Sequence, residues 1–383
     1  MAGLLAACGE TESPPPSGDY LVRVENIRTL DVHQVRAQLK NHPAVSVNPL
    51  LIDLLATQGV RVLKLTYRTP NPEGQIIEVS GALILPEEGN APLPLMSVQH
   101  GTILFESEAP SNYQLSVEAT FFGTLLGAAG YIAVVPDYIG YGASQNEPHP
   151  YEHRATLGRT CLDMLRAVRE YAQQTQLVLD DRLFLAGYSE GGYATMCLHK
   201  LIEEAHPDEF SVTASAPGAG AYHKTAFSNY ILTSQDNLVF INNYLWVLET
   251  YNRVYGFGLP WTYFLNSPYA SQVAQNGVWI NTQYNPQLLF TAQAREDLQN
   301  GTNPAFTAAL ADNDVYDWKP LAPLRMFHGT DDDFVPPFNA EDALAAMQAR
   351  GATQVSLVLF EDKNHETALE DYVFGVLDFL QDF

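Results

Sequence analysis

The chain is short of basic residues: 20 lysines and arginines stand against 44 aspartates and glutamates, and the formal net charge at pH 7 is −24. Because so negative a surface repels phosphate groups, we expect neither nucleic acid nor an anionic membrane surface as a binding partner. Only three cysteines occur in 383 residues, which excludes a disulfide framework. No apolar run approaches the roughly 20 residues that a membrane-spanning helix needs. The expected ligands are therefore neutral or weakly polar small molecules.

The three cysteines lie in different surroundings. Cys161 and Cys197 fall in predicted helices on either side of a buried strand, where free buried thiols are the default and one disulfide is the alternative. Cys8 ends the sequence Leu5-Ala6-Ala7-Cys8, which resembles the lipobox of bacterial lipoprotein precursors. The residues that follow it, 11–19, have the serine and proline content of a flexible tether.

Residues 1–7 supply neither the basic region nor the apolar stretch of a signal peptide. Either the numbering starts inside a longer signal or the lipobox match is accidental, and the tether that follows favours the first interpretation. We therefore interpret residues 1–19 as a lipobox remnant and flexible tether. The expected location is extracytoplasmic, as a bacterial lipoprotein tethered to a membrane through lipidated Cys8 or as a secreted protein.

Hydrophobic patterning indicates the fold class. At 46% hydrophobic residues, the chain can bury a large core and carry an insertion. Two short helices, 31–41 and 49–57, are predicted to form an N-terminal helical arm, residues 20–59, ahead of an antiparallel hairpin, 60–68 and 76–86, at the sheet edge. Further along, predicted strands alternate with predicted helices. This rhythm predicts an α/β fold with a mostly parallel central sheet and helices on both faces, with ligand chemistry at the carboxyl ends of the strands.

The segment Gly187-Tyr188-Ser189-Glu190-Gly191 follows a short apolar run and precedes a helix-like segment. A serine in such a sharp turn points its hydroxyl into open space, and Gly187 and Gly191 are needed because a Cβ there would collide with neighbouring elements. The backbone N–H of Glu190, at the helix N-terminus, is a natural donor to a developing oxyanion. Ser189 is therefore a candidate nucleophile, and an ordinary serine in a tight turn is the alternative.

A serine hydroxyl needs an imidazole to accept its proton and a carboxylate to orient that imidazole. His365 follows a predicted strand and precedes an amphipathic helix. Asp331, Asp332 and Asp333 follow another predicted strand, and only one of the three can face the histidine. The other two are expected in a solvated turn or as the N-cap of a helix.

The chain order of serine, acid and histidine resembles that of the α/β-hydrolases, and most closely their cap-bearing secretory lipase and esterase branch. The resemblance extends from about residue 61 to the last residues. It implies the α/β-hydrolase fold, with Ser189 as nucleophile, His365 as base and Asp332 as the acid, and it leaves Asp331 and Asp333 as alternatives. It also implies a catalytic core built from residues 60–222 and 320–383 and a cap between them.

The second half of the oxyanion hole is expected in His100-Gly101-Thr102, which resembles the HG turn of lipases and esterases. Gly101 allows the chain to come close to the serine, and Thr102 is the expected donor of the backbone N–H. In the family, a histidine at the position of His100 supports the loop rather than acting as a base.

The predicted cap, residues 223–319, contains 18 of the 42 aromatic residues, including Trp246, Trp261, Trp279 and Trp318, the only four tryptophans. These side chains form the insertion's own core in one interpretation and an apolar wall facing the substrate in the other. Glycine and proline joints within this lid insertion are candidates for hinges.

The sequence thus predicts a serine hydrolase, a lipase or broad esterase, that acts on a small-molecule or lipid ester without a cofactor. No metal site is expected, because Pro150 interrupts the i, i+4 pair of His149 and His153 and no third ligand is evident. The alternatives are a serine peptidase of the same fold and a non-catalytic surface lipoprotein. Nothing in the sequence indicates an oligomeric state.

Overall fold

The computed structural model describes residues 19–42, 49–87, 92–114 and 117–383. Cys8 and the predicted tether up to residue 18 lie outside the described residues. Within the described ranges, nine strands form one sheet. The strands are β1 (Leu21–Leu30), β2 (Val60–Pro70), β3 (Ile76–Pro86), β4 (Leu93–Gln99), β5 (Ile132–Pro136), β6 (Leu179–Tyr188), β7 (Ala214–Gly218), β8 (Leu324–Gly329) and β9 (Val355–Phe360). The helices are α1 (Val32–Lys40), α2 (Pro49–Leu55), α3 (Glu118–Ala128), α4 (Arg154–Thr175), α5 (Glu190–Ala205), α6 (Lys224–Thr233), α7 (Ile241–Val254), α8 (Trp261–Phe264), α9 (Tyr269–Asn276), α10 (Pro286–Leu289), α11 (Ala292–Gln299), α12 (Pro304–Asp312), α13 (Phe338–Ala349) and α14 (Ala368–Leu380).

The sheet runs in the order β1-β2-β3-β5-β4-β6-β7-β8-β9. The pairs β1·β2, β2·β3 and β3·β5 are antiparallel, and all remaining pairs are parallel. Two large apolar clusters hold the core residues of the sheet and its helices. Because both faces of the parallel strands are covered, β4 and most of β6 read as nearly continuous apolar runs. The predicted fold class is confirmed.

The N-terminal part of the sheet corrects two predictions. Residues 20–59 are not a purely helical arm, because β1 pairs with β2 and extends the sheet. The predicted hairpin is present, with Val60 opposite Pro86, but β1 covers it and takes the edge position. Helix α1 does begin at its predicted N-cap, since the Asp31 carboxylate accepts the Gln34 N–H at 2.9 Å.

Between β7 and β8 the chain forms seven helices, α6 to α12, which we call the helical insertion (Lys224–Asp312). Its buried aromatic residues form an apolar cluster that Tyr151 and Val335 join from outside the insertion. Aromatic members of this cluster are Phe227, Phe240, Tyr244, Tyr251, Phe264, Phe290 and Phe306. Many of the insertion's aromatic residues thus serve as its own core. The limits predicted for a cap, residues 223–319, stay a prediction.

The two described cysteines lie on adjacent helices of the core. Cys161 of α4 and Cys197 of α5 are buried free thiols, as the default interpretation predicted. Burial raises the pKa of the Cys197 thiol to about 12, so the reactive thiolate form is scarce at neutral pH. In the part of the chain that the structure covers, no helix combines the length and apolar character needed to cross a membrane.

Candidate active site

Ser189 lies in the turn between β6 and α5 and has φ of 60° and ψ of −123°. A non-glycine residue with positive φ is strained, and here Ser189 N–H is held by a hydrogen bond to Gly218 O at 2.9 Å. The flanking glycines are sterically required. A Cβ at Gly187 would lie 2.4 Å from Gly191 O, and one at Gly191 would lie 2.1 Å from Gln99 O. The sequence motif is therefore a close-packed strand-to-helix turn.

We expect Gly191→Ala to lower the free energy of unfolding by at least about 3 kcal/mol or to prevent soluble expression, because the new Cβ meets backbone that cannot move aside. Gly258→Ala is the matched control. Gly258 has φ of +64° and no neighbour within 4 Å of an added Cβ, so this change costs only left-handed strain, about 1 kcal/mol. Urea unfolding of both variants checks the difference, and equal losses at the two positions would contradict a sterically closed turn.

His365, between β9 and α14, connects the serine to an aspartate. Its Nε2 lies 2.9 Å from Ser189 Oγ, and its Nδ1 lies 2.7 Å from Asp332 Oδ2. Because an ionised carboxylate only accepts hydrogen bonds, Nδ1 carries the proton and Nε2 presents a lone pair to the serine hydroxyl. This tautomer is the one that can accept the Ser189 proton.

Of the three successive aspartates, the structure brings only Asp332 to the histidine. Asp332 is 4% exposed, and its Oδ1 accepts the N–H groups of Phe334 at 2.9 Å and Val335 at 2.8 Å. Asp331 and Asp333 are exposed. Both oxygens of the Asp332 carboxylate are therefore held in place. The backbone N–H groups of the turn hold Oδ1, and His365 holds Oδ2.

A second histidine that the sequence analysis did not single out lies behind Asp332. His328, fully buried on β8, donates from Nε2 to Val335 O at 2.7 Å, and the same nitrogen is 3.3 Å from Asp332 Oδ2. Burial raises the pKa of Asp332, but hydrogen bonds from His328 and His365 outweigh burial and hold that pKa well below its usual range. Asp332 is therefore a stable anion at neutral pH.

Both predicted oxyanion donors, Thr102 and Glu190, lie near Ser189. Thr102 borders the same cleft as Ser189 and His365, and among the described residues none accepts a hydrogen bond from its N–H. Glu190 is the first residue of α5, where a helix N–H has no intrahelical partner. The Gly101 N–H is already used, because it donates to the Glu118 carboxylate.

His100 supports the loop that carries the predicted oxyanion donor Thr102. Both ring nitrogens contact backbone carbonyls, Nδ1 that of Gly101 at 2.6 Å and Nε2 that of Asp137 at 3.1 Å. The ring stacks on Tyr138 at 4.0 Å between centroids. With its nitrogens occupied in this way, His100 is not positioned to accept the Ser189 proton.

The structure also places His149 beside the candidate site, a position that the sequence analysis did not predict. Its Nε2 is 2.8 Å from Glu190 Oε1, and its Nδ1 is 2.6 Å from Ile139 O. The side chains of His149 and Glu190 are 3% and 1% exposed. The pair anchors the residue whose N–H is a predicted oxyanion donor. The only sequence signal was a histidine close to a conspicuous loop, and the pairing joins residues 41 positions apart.

Two spaces meet at Ser189. The inner cavity, about 480 Å³ of space between the surrounding atoms including space open to solvent, has a largely apolar lining that includes Phe227, Ile231, Phe240 and Leu310 of the helical insertion. The outer cleft, about 1870 Å³ including space open to solvent, is lined by residues such as Thr102, Glu118, Trp279, His365 and Glu366. A bound molecule can therefore occupy both sides of the serine, with an apolar part inside and a polar part outside.

A second serine, histidine and carboxylate series lies elsewhere in the core. Ser215 Oγ is 2.7 Å from His199 Nδ1, and His199 Nε2 is 2.9 Å from Glu203 Oε1. Both Ser215 and His199 are fully buried, so no substrate can reach the hydroxyl. Glu203 also accepts the N–H groups of Leu321 and Ala322. These hydrogen bonds hold the segment before β8 in place, so the network has a structural role.

Comparisons with known proteins agree with this architecture. A model of the alpha/beta hydrolase family matches residues 100–374. A solved protein of Legionella pneumophila subsp. pneumophila str. Philadelphia 1 superposes with a TM-score of 0.83 at 23% identity, over 95% of this chain and 98% of that one. The ligand-bound rice cell wall degrading esterase LipA from Xanthomonas oryzae gives 0.79 at 25% identity, over 96% and 99%. Candida antarctica lipase A gives 0.66 at 17% identity, over 91% and 78%. No curated protein matches the sequence.

Proposed function

The chain belongs to the alpha/beta hydrolase family, and from that premise we propose that it is a serine hydrolase that cleaves carboxylic esters, as a lipase or a broad esterase. The observation that carries this proposal is the hydrogen-bonded series from Ser189 through His365 to Asp332, which meets an apolar cavity at the serine. The similarity to the esterase LipA along 96% of the chain favours an ester as the substrate.

In the proposed mechanism, His365 Nε2 accepts the proton of Ser189 as the serine oxygen attacks the ester carbonyl carbon. The N–H groups of Thr102 and Glu190 donate to the carbonyl oxygen as it becomes negative. The bond to the alcohol oxygen then breaks, and His365 gives its proton to the departing alcohol. A water molecule, deprotonated by His365, attacks the acyl-enzyme and releases the acid and free Ser189.

Asp332 stays an anion throughout this cycle. It keeps the proton on His365 Nδ1 and stabilises the imidazolium that forms when Nε2 accepts the serine proton. Because the Phe334 and Val335 N–H groups hold the other carboxylate oxygen, Asp332 needs no rearrangement between the steps. The cycle uses side chains, backbone donors and water, and no cofactor enters it.

We assign the acyl group to the inner cavity and the alcohol to the outer cleft. The inner cavity is bounded by apolar side chains of the helical insertion, which suits an acyl chain. The outer cleft is wider and carries the carboxylates Glu118, Asp333 and Glu366, which suits a polar alcohol that returns to solvent. Water for the second half-reaction also reaches the serine from this side.

Hydrolysis of p-nitrophenyl esters from acetate to palmitate tests the proposal, with the matched p-nitroanilides in parallel. We expect esters to be cleaved at least about a hundredfold faster than the anilide of the same acid, since p-nitrophenolate leaves the tetrahedral intermediate far more readily than the p-nitroanilide anion. A fluorophosphonate is expected to inactivate the enzyme and to add its mass to the peptide that contains Ser189. Preferential anilide cleavage would move the assignment to a peptidase, and a folded protein that neither turns over nor labels would make it non-catalytic.

A further inference from the structure

The inner cavity contains one feature that an alkyl chain does not need. Lys224, the first residue of α6, and Glu152, in the loop before α4, both line the cavity together with Ser189. The Lys224 ammonium donates to Glu152 Oε2, and the side chains are 3% and 10% exposed. The rest of the wall is dominated by phenylalanine, isoleucine, valine and leucine side chains. An ion pair thus borders the interior of a cavity whose lining is largely apolar.

The hydrogen-bonding capacity of this pair is only partly used. Lys224 has three N–H donors, one of which goes to Glu152, and its ammonium lies 4.2 Å from the centre of the Tyr193 ring. The second carboxylate oxygen of Glu152 has no hydrogen-bond partner among the described residues. Burial raises the pKa of Glu152, and Lys224 opposes that rise. A donor and an acceptor therefore remain side by side within the cavity.

Burying an ion pair costs desolvation energy that the mutual attraction seldom exceeds, so an apolar pair at these positions would suit a plain alkyl chain better. Covering the pair with an alkyl group also removes water from its unused donor and acceptor and leaves both of them buried without a hydrogen-bond partner, which is unfavourable. A carboxylate on the ligand would be repelled by Glu152, and an ammonium by Lys224. The remaining match is a neutral group that both donates and accepts, and the smallest such group is a hydroxyl.

We propose that Glu152 and Lys224 form a hydroxyl-binding subsite in the acyl cavity, and that the enzyme prefers esters of hydroxylated acids over esters of the corresponding unsubstituted acids. The inference rests on the proposed ester hydrolysis and deepens it. In the bound state, the substrate hydroxyl donates to the free Glu152 oxygen and accepts from Lys224. Glu152 and Lys224 are specificity-determining residues in this proposal and take no part in the bond-breaking steps.

A purely structural role for the same pair makes a different prediction. The pair joins the loop before α4 to the first turn of the helical insertion. In the structural alternative, its sole role is to hold these two segments together, and we call such a contact a tie. Arg154 and Asp312 form a second tie of this kind, at 2.8 Å between the first residue of α4 and the last residue of α12. That second pair does not line the inner cavity. Loss of a tie should lower kcat/KM for all substrates alike. Loss of a substrate-binding subsite should instead change the ratio of kcat/KM between hydroxylated and plain esters.

The experiment measures kcat/KM for methyl esters of C4 to C10 alkanoic acids and of the same acids with a hydroxyl at successive carbons, followed by acid release at constant pH. For the wild-type enzyme, we expect at least one hydroxylated ester to exceed its plain counterpart by about 10- to 100-fold. The double variant Glu152→Leu/Lys224→Met, which leaves no lone buried charge, is expected to bring this ratio to about 1. The double variant Arg154→Met/Asp312→Leu is expected to retain the wild-type ratio.

The outcomes separate the inference from the function on which it rests. If wild type hydrolyses plain esters as fast as every hydroxylated ester, or if the Glu152→Leu/Lys224→Met variant keeps the preference, the subsite is overturned and the esterase stands. If neither type of ester is hydrolysed at any length, the proposed function fails first. The wild-type comparison needs no variant, so it decides the question even if the double variant does not fold.

Discussion

Replacing Ser189 by alanine is expected to lower kcat for ester hydrolysis by about 10⁵- to 10⁶-fold, to the residual rate that the oxyanion donors and substrate binding alone support. The variant keeps the oxyanion donors and both binding spaces but has no oxygen to attack the carbonyl carbon. The loss should therefore appear in kcat, with KM changed far less, and the fluorophosphonate should no longer label the protein. Initial rates with p-nitrophenyl butyrate and intact-protein mass spectrometry measure both effects.

Ser215→Ala is the matched control, because Ser215 also contacts a histidine that contacts a glutamate. It is expected to retain activity within about threefold while losing about 1–3 kcal/mol of stability, since His199 Nδ1 is left buried without its partner. Activity that disappears with Ser215 and survives without Ser189 would show that the wrong serine had been assigned. Among the described residues, Ser189 and Ser215 both contact a histidine, and access to a cavity distinguishes Ser189 from Ser215.

The parts of the fold that were predicted correctly are those with a strong local pattern. The hairpin strands were expected at residues 60–68 and 76–86 and run over Val60–Pro70 and Ile76–Pro86, because alternating or continuous apolar residues flank a turn that contains proline and glycine. Strand β1 was missed because most of its side chains are exposed, so it shows no alternation. It is a strand because its backbone hydrogen bonds to β2, where Leu21 pairs with Tyr67, 46 positions further along the chain.

The residues of the candidate site likewise fall into those that the sequence pattern predicted and those that it did not. Ser189, His365 and the aspartate turn follow strands whose carboxyl ends meet at one edge of a parallel sheet, so their proximity could be expected from chain order. The choice of Asp332 among three neighbours needed the resemblance, because composition and spacing are equal for all three. His328 and the pair Glu152–Lys224 were not foreseen, since their contacts join separate elements or depend on how a turn folds back.

Asp332→Asn is expected to lower kcat by about 10⁴-fold. An asparagine amide at this position can donate to His365 Nδ1, which moves the histidine proton to Nε2 and leaves no lone pair facing Ser189. The amide also lacks the charge that stabilises the imidazolium. Binding contacts in the inner cavity and outer cleft are retained, so KM is expected to change by less than about tenfold.

Asp331→Asn and Asp333→Asn remove the same charge from the neighbouring positions, where the side chains are exposed, and are expected to keep kcat within about tenfold of wild type. A 10⁴-fold loss of kcat in the Asp333 variant, with near-normal activity in the Asp332 variant, would reassign the acid.

The pH dependence of stability adds an independent test of the role of Asp332. Because the folded-state pKa of Asp332 is held below its usual value, its contribution to stability is present above about pH 4 and lost as the pH falls through that lower pKa. The Asp332→Asn variant lacks this contribution, so its stability should fall less steeply below pH 4 than that of wild type, a difference that neither neighbouring variant should share.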